Sequence, residues 1–162
     1  MTTSSCVLRF GSSARNLNRE KASGCGFFDT NVLVYADDTS SPTKQDCGIA
    51  LFAEHLGRGT AVLSLQVLQE YFVAATRKLG LAPDIAQRKV EVLARARIVQ
   101  LHAADVIAAI ELHRLTKLSF WDALIVHAAR SAGVSVLYSE DFQDGAVLGG
   151  VRVVNPFVTT NR

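Results

Sequence analysis

Several acidic residues share one kind of position, because each follows a predicted strand or lies near the start of a predicted helix. They are Asp29, Glu70, Asp122, Asp141 and Asp144. The carboxyl ends of parallel strands meet at one edge of a sheet, where open α/β folds build their binding sites. We therefore expect carboxylates from four separate segments to face one crevice.

A cluster of carboxylates is unstable without compensation. Two carboxylates about 5 Å apart repel each other by roughly 3 kcal/mol at an effective dielectric constant near 20. Either some stay protonated with raised pKa values, or a cation binds among them. No Lys or Arg adjoins Asp29 or Asp122, and oxygen ligands without His or Cys suit Mg²⁺, with Mn²⁺ as the alternative. Such an ion activates water and stabilises phosphate charge, which is the chemistry of phosphodiester hydrolysis.

Each acid also has an ordinary structural interpretation. Asp29 could cap a short helix, and Asp122 could complete a capping box with Ser119. Glu70 could be a solvated helix residue that pairs with Arg77. Asp141 and Asp144 could be loop residues beside a turn. A metal site would be excluded only if every one of these structural interpretations were correct at once. We therefore favour the metal site.

The pattern of apolar residues predicts alternating strands and helices. Strands are predicted at 26–29, 60–64, 98–101, 134–138 and 151–154. Helices are predicted at 31–37, 43–57, 65–79, 83–96, 103–116 and 120–132. Short, fully apolar strands that alternate with helices indicate a three-layer α/β/α domain with a mainly parallel central sheet of four or five strands.

Composition excludes several classes of protein. The chain has 162 residues, 49% of them hydrophobic, with a formal net charge of +2, which suits one globular domain rather than a fibrous chain. No apolar run approaches the roughly 18 residues that a membrane helix needs, so we expect no membrane association. Three cysteines without a Cys-x-x-Cys pair support neither a disulfide framework nor a zinc site, and a cytoplasmic location is predicted.

Four ordered motifs resemble those of the PIN-domain ribonucleases, in particular the VapC-type toxins of type II toxin–antitoxin systems. They are Phe27-Phe28-Asp29-Thr30-Asn31-Val32-Leu33-Val34-Tyr35, Ser64 with Glu70 in the following helix, Ser119-Phe120-Trp121-Asp122-Ala123-Leu124-Ile125, and Leu137-Tyr138-Ser139-Glu140-Asp141-Phe142-Gln143-Asp144-Gly145. The resemblance covers residues 27–157, the expected PIN domain. Residues 1–26 are interpreted as a disordered lead, or as a segment that reflects start-site choice or cloning, and 158–162 as a short tail.

The resemblance implies an Mg²⁺-dependent endoribonuclease that hydrolyses RNA through metal-activated water and leaves 5′-phosphate and 3′-hydroxyl ends. Its catalytic residues would be Asp29, Glu70, Asp122 and Asp141, all of them metal ligands. Asn31 and Ser139 would support the acids by hydrogen bonds. It also implies a homodimer, a small antitoxin protein that occludes the acidic groove, and no nucleotide cofactor.

The fourth motif leaves its metal ligand open among three acids. Glu140, Asp141 and Asp144 could each reach the ion, with Asp141 ranked first and Asp144 second.

Two other functions fit parts of the sequence. A PIN-like module could bind RNA or a protein without cutting. A haloacid-dehalogenase-type phosphatase also begins with a strand that ends in Asp, but its second acid is replaced here by Asn31, which removes the general acid.

The basic residues between 77 and 97 have two interpretations. They could follow RNA phosphates beside the acidic crevice, although their helical spacing is more typical of a solvated face. Trp121 could stack on a base, but a core or dimer-interface position is favoured.

Overall fold

The computed structural model describes residues 24–158. The predicted lead at 1–26 and tail at 158–162 therefore lie almost wholly outside the described residues. Within this range there are six strands: β1 (Gly26–Phe28), β2 (Ala61–Ser64), β3 (Arg97–Val99), β4 (Val136–Tyr138), β5 (Val147–Leu148) and β6 (Val151–Val154). The same described residues form six helices: α1 (Thr30–Tyr35), α2 (Pro42–Gly57), α3 (Leu65–Arg77), α4 (Pro83–Leu93), α5 (Ala103–Leu115) and α6 (Phe120–Ser131).

The strands form one sheet in the order β3-β2-β1-β4-β6-β5. Five strands run parallel, and β5 pairs antiparallel with β6. Helices flank this sheet, with α6 against β4 and β6, and α5 against α6. The predicted α/β class with a mainly parallel sheet is confirmed, and the sheet has one strand more than the four or five predicted.

The missed strand, β5, is only two residues long. Gly149 and Gly150 connect it to β6, and both have positive φ (58° and 89°). Two central residues with positive φ give the tight turn whose twist matches a β-hairpin, and a Gly-Gly pair between apolar residues was a readable signal of it.

The central strands β1, β2 and β4 are largely apolar because both faces of the sheet are covered there. Phe27 and Phe28 of β1 are fully buried, as are Leu137 of β4 and Val153 of β6. Such continuous apolar runs are typical of parallel strands enclosed by helices. The polar residues that follow the strands therefore begin abruptly at one edge of the sheet.

That edge contains a reversal of strand order. From β1 the chain builds β2 and β3 on one side and then places β4 on the other side. The carboxyl ends of β1 and β4 thus flank the point at which connections diverge, where open α/β sheets leave a crevice. Asp29 follows β1, and Ser139 follows β4. Among residues 24–158, no helix is long and apolar enough to span a bilayer.

Helix α1 is held close to α2 at Gly48. A Cβ atom at this position would lie 3.0 Å from the Val32 carbonyl oxygen and 3.2 Å from the Ala36 nitrogen. Both are backbone atoms of the α1 segment, so the contact cannot be relieved by a side-chain rotation. Gly57, in the same helix, has nothing within 4 Å of such a Cβ and does not have a positive φ.

We predict that Gly48→Ala and Gly57→Ala have opposite effects on stability. Gly48→Ala should lower the free energy of unfolding by about 1–3 kcal/mol because it forces α2 away from α1. Gly57→Ala should leave it unchanged or raise it by about 0.5–1 kcal/mol because alanine favours the helix. Urea unfolding of both variants measures this difference, and equal midpoints would show that the α1–α2 contact is not tight.

Candidate functional site at the carboxyl edge of the sheet

Asp29 stands at the centre of the site and has two structural roles. It directly follows β1 and is the N-cap of α1, where its Oδ1 accepts a hydrogen bond from the Thr30 backbone N–H at 2.7 Å. Its Oδ2 accepts from the Ser139 hydroxyl at 2.7 Å and from the Asn31 amide at 3.3 Å. Asp29 therefore caps α1 and can at the same time belong to the candidate site.

The Asp29 carboxyl is buried, with only 6% of the residue exposed. The pKa of Asp29 is raised to about 6, mainly by burial and also by the negative charges of Asp141 and Glu70, while the hydrogen bonds from Ser139 and Thr30 oppose the rise. Its hydrogen-bond donors are all neutral groups, and no Lys or Arg in the described part of the chain forms an ion pair with it. The charged form of Asp29 is thus uncompensated.

Asn31 connects the first and fourth motifs. Its Nδ2 donates to Asp141 Oδ2 at 2.9 Å and lies 3.2 Å from the Ser139 hydroxyl. Ser139 in turn accepts from the Asp141 backbone N–H at 3.1 Å. Asn31 and Ser139 therefore bring Asp141 beside Asp29. An amide that donates to both acids cannot serve as a general acid, which argues against the phosphatase alternative.

Glu70 joins the site from α3. Its Oε2 accepts from the Thr30 hydroxyl at 2.7 Å, and its Oε1 accepts from the Gln66 side-chain amide at 2.7 Å. Because Thr30 adjoins Asp29, this bond places the Glu70 carboxylate next to the buried acid. Glu70 bonds to these neutral groups rather than to Arg77. Sequence reasoning missed Gln66, although its spacing of four residues from Glu70 on a predicted helix was a usable signal.

Asp122 lies at the start of α6 and has a local partner. Its Oδ2 accepts from the Ser119 hydroxyl at 2.7 Å, and Ser119 accepts from the Asp122 backbone N–H as the N-cap of α6. No hydrogen bond connects Asp122 with Asp29, Glu70 or Asp141 within the described residues. The acid is half-exposed, so its side chain is open to solvent at the helix start.

The other two acids of the fourth motif have different partners. Glu140 accepts from the Tyr35 hydroxyl at 2.7 Å and pairs with Lys44, which holds the pKa of this carboxyl below its usual range against the effect of burial. Asp144 accepts from the Asn155 backbone N–H at 2.9 Å. The Glu140 backbone N–H also donates to Asn31 Oδ1, at 3.3 Å. Of the three carboxylates, however, only that of Asp141 shares a hydrogen-bond donor with Asp29 among the described residues.

The donor chemistry of this group fits a divalent cation. Asp29, Glu70 and Asp141 offer only oxygen atoms and interact electrostatically, and hard cations such as Mg²⁺ and Mn²⁺ take oxygen ligands. Across residues 24–158, no three His, Cys, Asp or Glu side chains are already arranged as a metal site. Asp29, Glu70 and Asp141 are neighbours, but among the described residues no three such side chains surround a common point.

Residues outside this group were assigned less clearly from sequence. Trp121 is 60% exposed, so it is not a core residue. In the basic stretch, Arg88 pairs with Asp84 and Lys89 pairs with Asp37. These pairs engage two of its cations, as the interpretation of a solvated face expects.

Comparisons with known proteins identify the family to which this fold belongs. The family model of the PIN domain matches residues 26–143. The structure is an α/β fold with a mainly parallel sheet and a buried acid, Asp29, at the end of the first strand. The chain belongs to the PIN domain family. No curated protein sequence is significantly similar to it.

Solved structures with the same fold include proteins of toxin–antitoxin systems. A toxin–antitoxin complex from Klebsiella pneumoniae is 23% identical, with a TM-score of 0.58, and the match covers 82% of this chain and 98% of that one. VapC20 of Mycobacterium tuberculosis, a toxin that cleaves the sarcin-ricin loop, is 19% identical, with a TM-score of 0.57 and coverage of 69% and 86%. DNA-bound VapBC from Salmonella typhimurium is 17% identical, with a TM-score of 0.59 and coverage of 80% and 96%. At these identities the likeness shows the fold.

We predict that Asp29→Asn stabilises the metal-free protein in a pH-dependent manner. The pKa of Asp29 is about 6 in the folded protein against an ordinary value of 3.8, so the folded state binds the proton more tightly. Wild-type stability should therefore fall as pH rises from about 4 to 6 and remain lowered above it. Asparagine carries no charge and is also a good N-cap.

Thermal melts in EDTA measure this effect. At pH 8 the variant should melt a few degrees above wild type, since the shift corresponds to about 3 kcal/mol before losses from altered hydrogen bonds. At pH 4 the two midpoints should converge. Asp144→Asn, at an exposed acid, is the matched control and should track wild type. A variant that melts below wild type at both pH values would contradict an uncompensated charge on Asp29.

Proposed function

We propose that this protein is an endoribonuclease that depends on a divalent metal ion, Mg²⁺ or Mn²⁺, and acts as the toxin of a toxin–antitoxin pair. The observation that carries the proposal is the buried Asp29 carboxylate, which lies beside Asp141 and Glu70 without a cationic partner among its described contacts. Membership of the PIN family, whose nucleases generally use divalent metals, supports the same chemistry.

Asp29, Glu70, Asp122 and Asp141 are the residues proposed to hold the ion. A divalent ion bound there would supply an electrophile for the phosphate and lower the pKa of water. Neutral hydrogen-bond donors orient each of these acids. Ser139 and Asn31 orient Asp29 and Asp141. The Thr30 hydroxyl orients Glu70, and the Ser119 hydroxyl orients Asp122. Asp144 is a weaker candidate because its Oδ1 is engaged by the Asn155 backbone.

The negative charge of these acids also affects how an RNA substrate would bind. A phosphodiester carries a negative charge, so an uncompensated acidic crevice repels it until a cation is bound. Metal binding and RNA binding should therefore be coupled. Hydrolysis by water, rather than by attack of the ribose 2′-hydroxyl, would leave 5′-phosphate and 3′-hydroxyl ends.

A small antitoxin is the proposed protein partner. The structures from Klebsiella pneumoniae and Salmonella typhimurium are complexes of toxin and antitoxin with the same fold as this chain. An antitoxin segment that occludes the acidic crevice would prevent cleavage, and a homodimer and a cytoplasmic location are proposed on the same basis.

RNA cleavage by purified variants tests the proposed activity. Asp29→Asn and Asp122→Asn should each reduce Mg²⁺-dependent cleavage at least about 100-fold, because loss of a ligand weakens electrophilic stabilisation worth several kcal/mol. Asp46→Asn makes the same chemical change at an exposed acid of α2, outside the proposed site, and should retain activity within a few-fold. EDTA should abolish cleavage by the wild-type protein.

The chemical form of the cleaved RNA ends distinguishes this activity from that of contaminating ribonucleases. Metal-independent ribonucleases that use the 2′-hydroxyl leave 2′,3′-cyclic phosphates, whereas the proposed reaction leaves 3′-hydroxyls that a poly(A) polymerase extends. Cleavage that survives EDTA, or that persists at wild-type rates in both Asp→Asn variants with unchanged melting behaviour, would contradict the proposed function.

A further inference from the structure

Gln66 lies one helical turn before Glu70 on α3. Residues four apart on a helix lie on the same face, and the Gln66 Nε2 donates to Glu70 Oε1 at 2.7 Å. Only 8% of Gln66 is exposed. A buried polar side chain therefore contacts one of the acids proposed to bind the metal ion.

The other end of the Gln66 amide has no partner. Its Oε1 is buried and accepts no hydrogen bond from any residue of the described range 24–158. Burying an acceptor without a hydrogen bond is unfavourable, because the oxygen loses its bonds to water. Rotating the amide by 180° would place this oxygen against the Glu70 carboxylate and lose the hydrogen bond, so Glu70 fixes the orientation. An apolar side chain of similar length would fill the same space without that cost.

Glu70 is consequently held from two sides. Gln66 holds Oε1, and the Thr30 hydroxyl holds Oε2 at 2.7 Å. Both donors are neutral, so they fix the direction of the carboxylate without neutralising its charge. A cation approaching Asp29 would meet a Glu70 carboxylate that is already oriented.

We propose that Gln66 is a positioning residue that orients Glu70 for the divalent ion, at the expense of folding stability. This inference rests on the proposed function, because it assigns a role within the same site. This role explains why a buried amide with an unsatisfied oxygen is present at this position: the amide is retained for its hydrogen bond to Glu70. A residue kept for packing alone would not leave an acceptor unpaired.

Gln66→Met tests the proposal because methionine matches the length of glutamine and lacks its polar atoms. Calorimetric titration of the metal-free, full-length protein with Mn²⁺ should show affinity reduced about 10–100-fold, as is usual when a residue that orients a ligand is removed. The kcat for RNA cleavage should fall by a similar factor, while the KM for RNA stays within about twofold. Gln69→Met, at the exposed neighbouring glutamine of α3, is the matched control and should equal wild type.

The melting temperature separates positioning from structure. In EDTA, Gln66→Met should melt at or above the wild-type temperature because the unpaired acceptor is gone. A midpoint clearly below wild type would show that Gln66 is structural and overturn the proposal. So would wild-type Mn²⁺ affinity and kcat in a variant that folds normally.

Failure of the inference can be distinguished from failure of the function. If wild type binds Mn²⁺ and cleaves RNA, and Gln66→Met does so equally well, only the positioning role is overturned. If wild type neither binds Mn²⁺ nor cleaves RNA, the proposed function is overturned and the role of Gln66 is overturned with it.

Discussion

The burial of one carboxylate with no Lys or Arg paired to it among residues 24–158 is the constraint on which the rest of the site depends. Asp29 is enclosed at the end of β1, where its pKa rises to about 6. This burial is unfavourable for the charged carboxylate. The hydrogen-bond donors that contact Asp29 are neutral groups of Thr30, Asn31 and Ser139. Neutral donors fix the geometry of a carboxylate and leave its charge available, as a cation-binding group requires.

The sheet order explains why these residues meet. The carboxyl ends of β1 and β4 flank the point at which the connections diverge, so Asp29 and Ser139 become neighbours although they are 110 positions apart. Glu70 joins them through the Thr30 hydroxyl. Asp122 has its closest described bond to Ser119 and remains open to solvent. Hydrogen bonds therefore connect the acids beyond β1 and β4 with Glu70, whereas Asp122 at the start of α6 is bonded, among residues 24–158, to its own helix cap.

Much of this architecture could be predicted from the sequence because it follows from local patterns. Apolar strands, the helix cap at Ser119 and the acids beyond the strands were readable along the chain, and the structure contains these strands and this cap. The short strand β5 was missed because two residues carry almost no periodicity.

The bonds between the acids could not be predicted in the same way. They depend on which side chains face one another across elements distant in the chain, as when Asn31 bridges Asp29 and Asp141. Burial has the same dependence. The exposure of Trp121 and the unsatisfied oxygen of Gln66 result from the packing of neighbouring helices, which no local pattern encodes.

The location of a bound ion tests the central claim most directly. Crystals of the full chain grown with Mn²⁺ can be measured near the manganese absorption edge, where anomalous scattering identifies the metal. The account predicts a peak within about 2.0–2.6 Å of the carboxylate oxygens of Asp29 and at least one other acid of the crevice. A fully occupied ion elsewhere, or a crevice without a peak at saturating Mn²⁺, would contradict it.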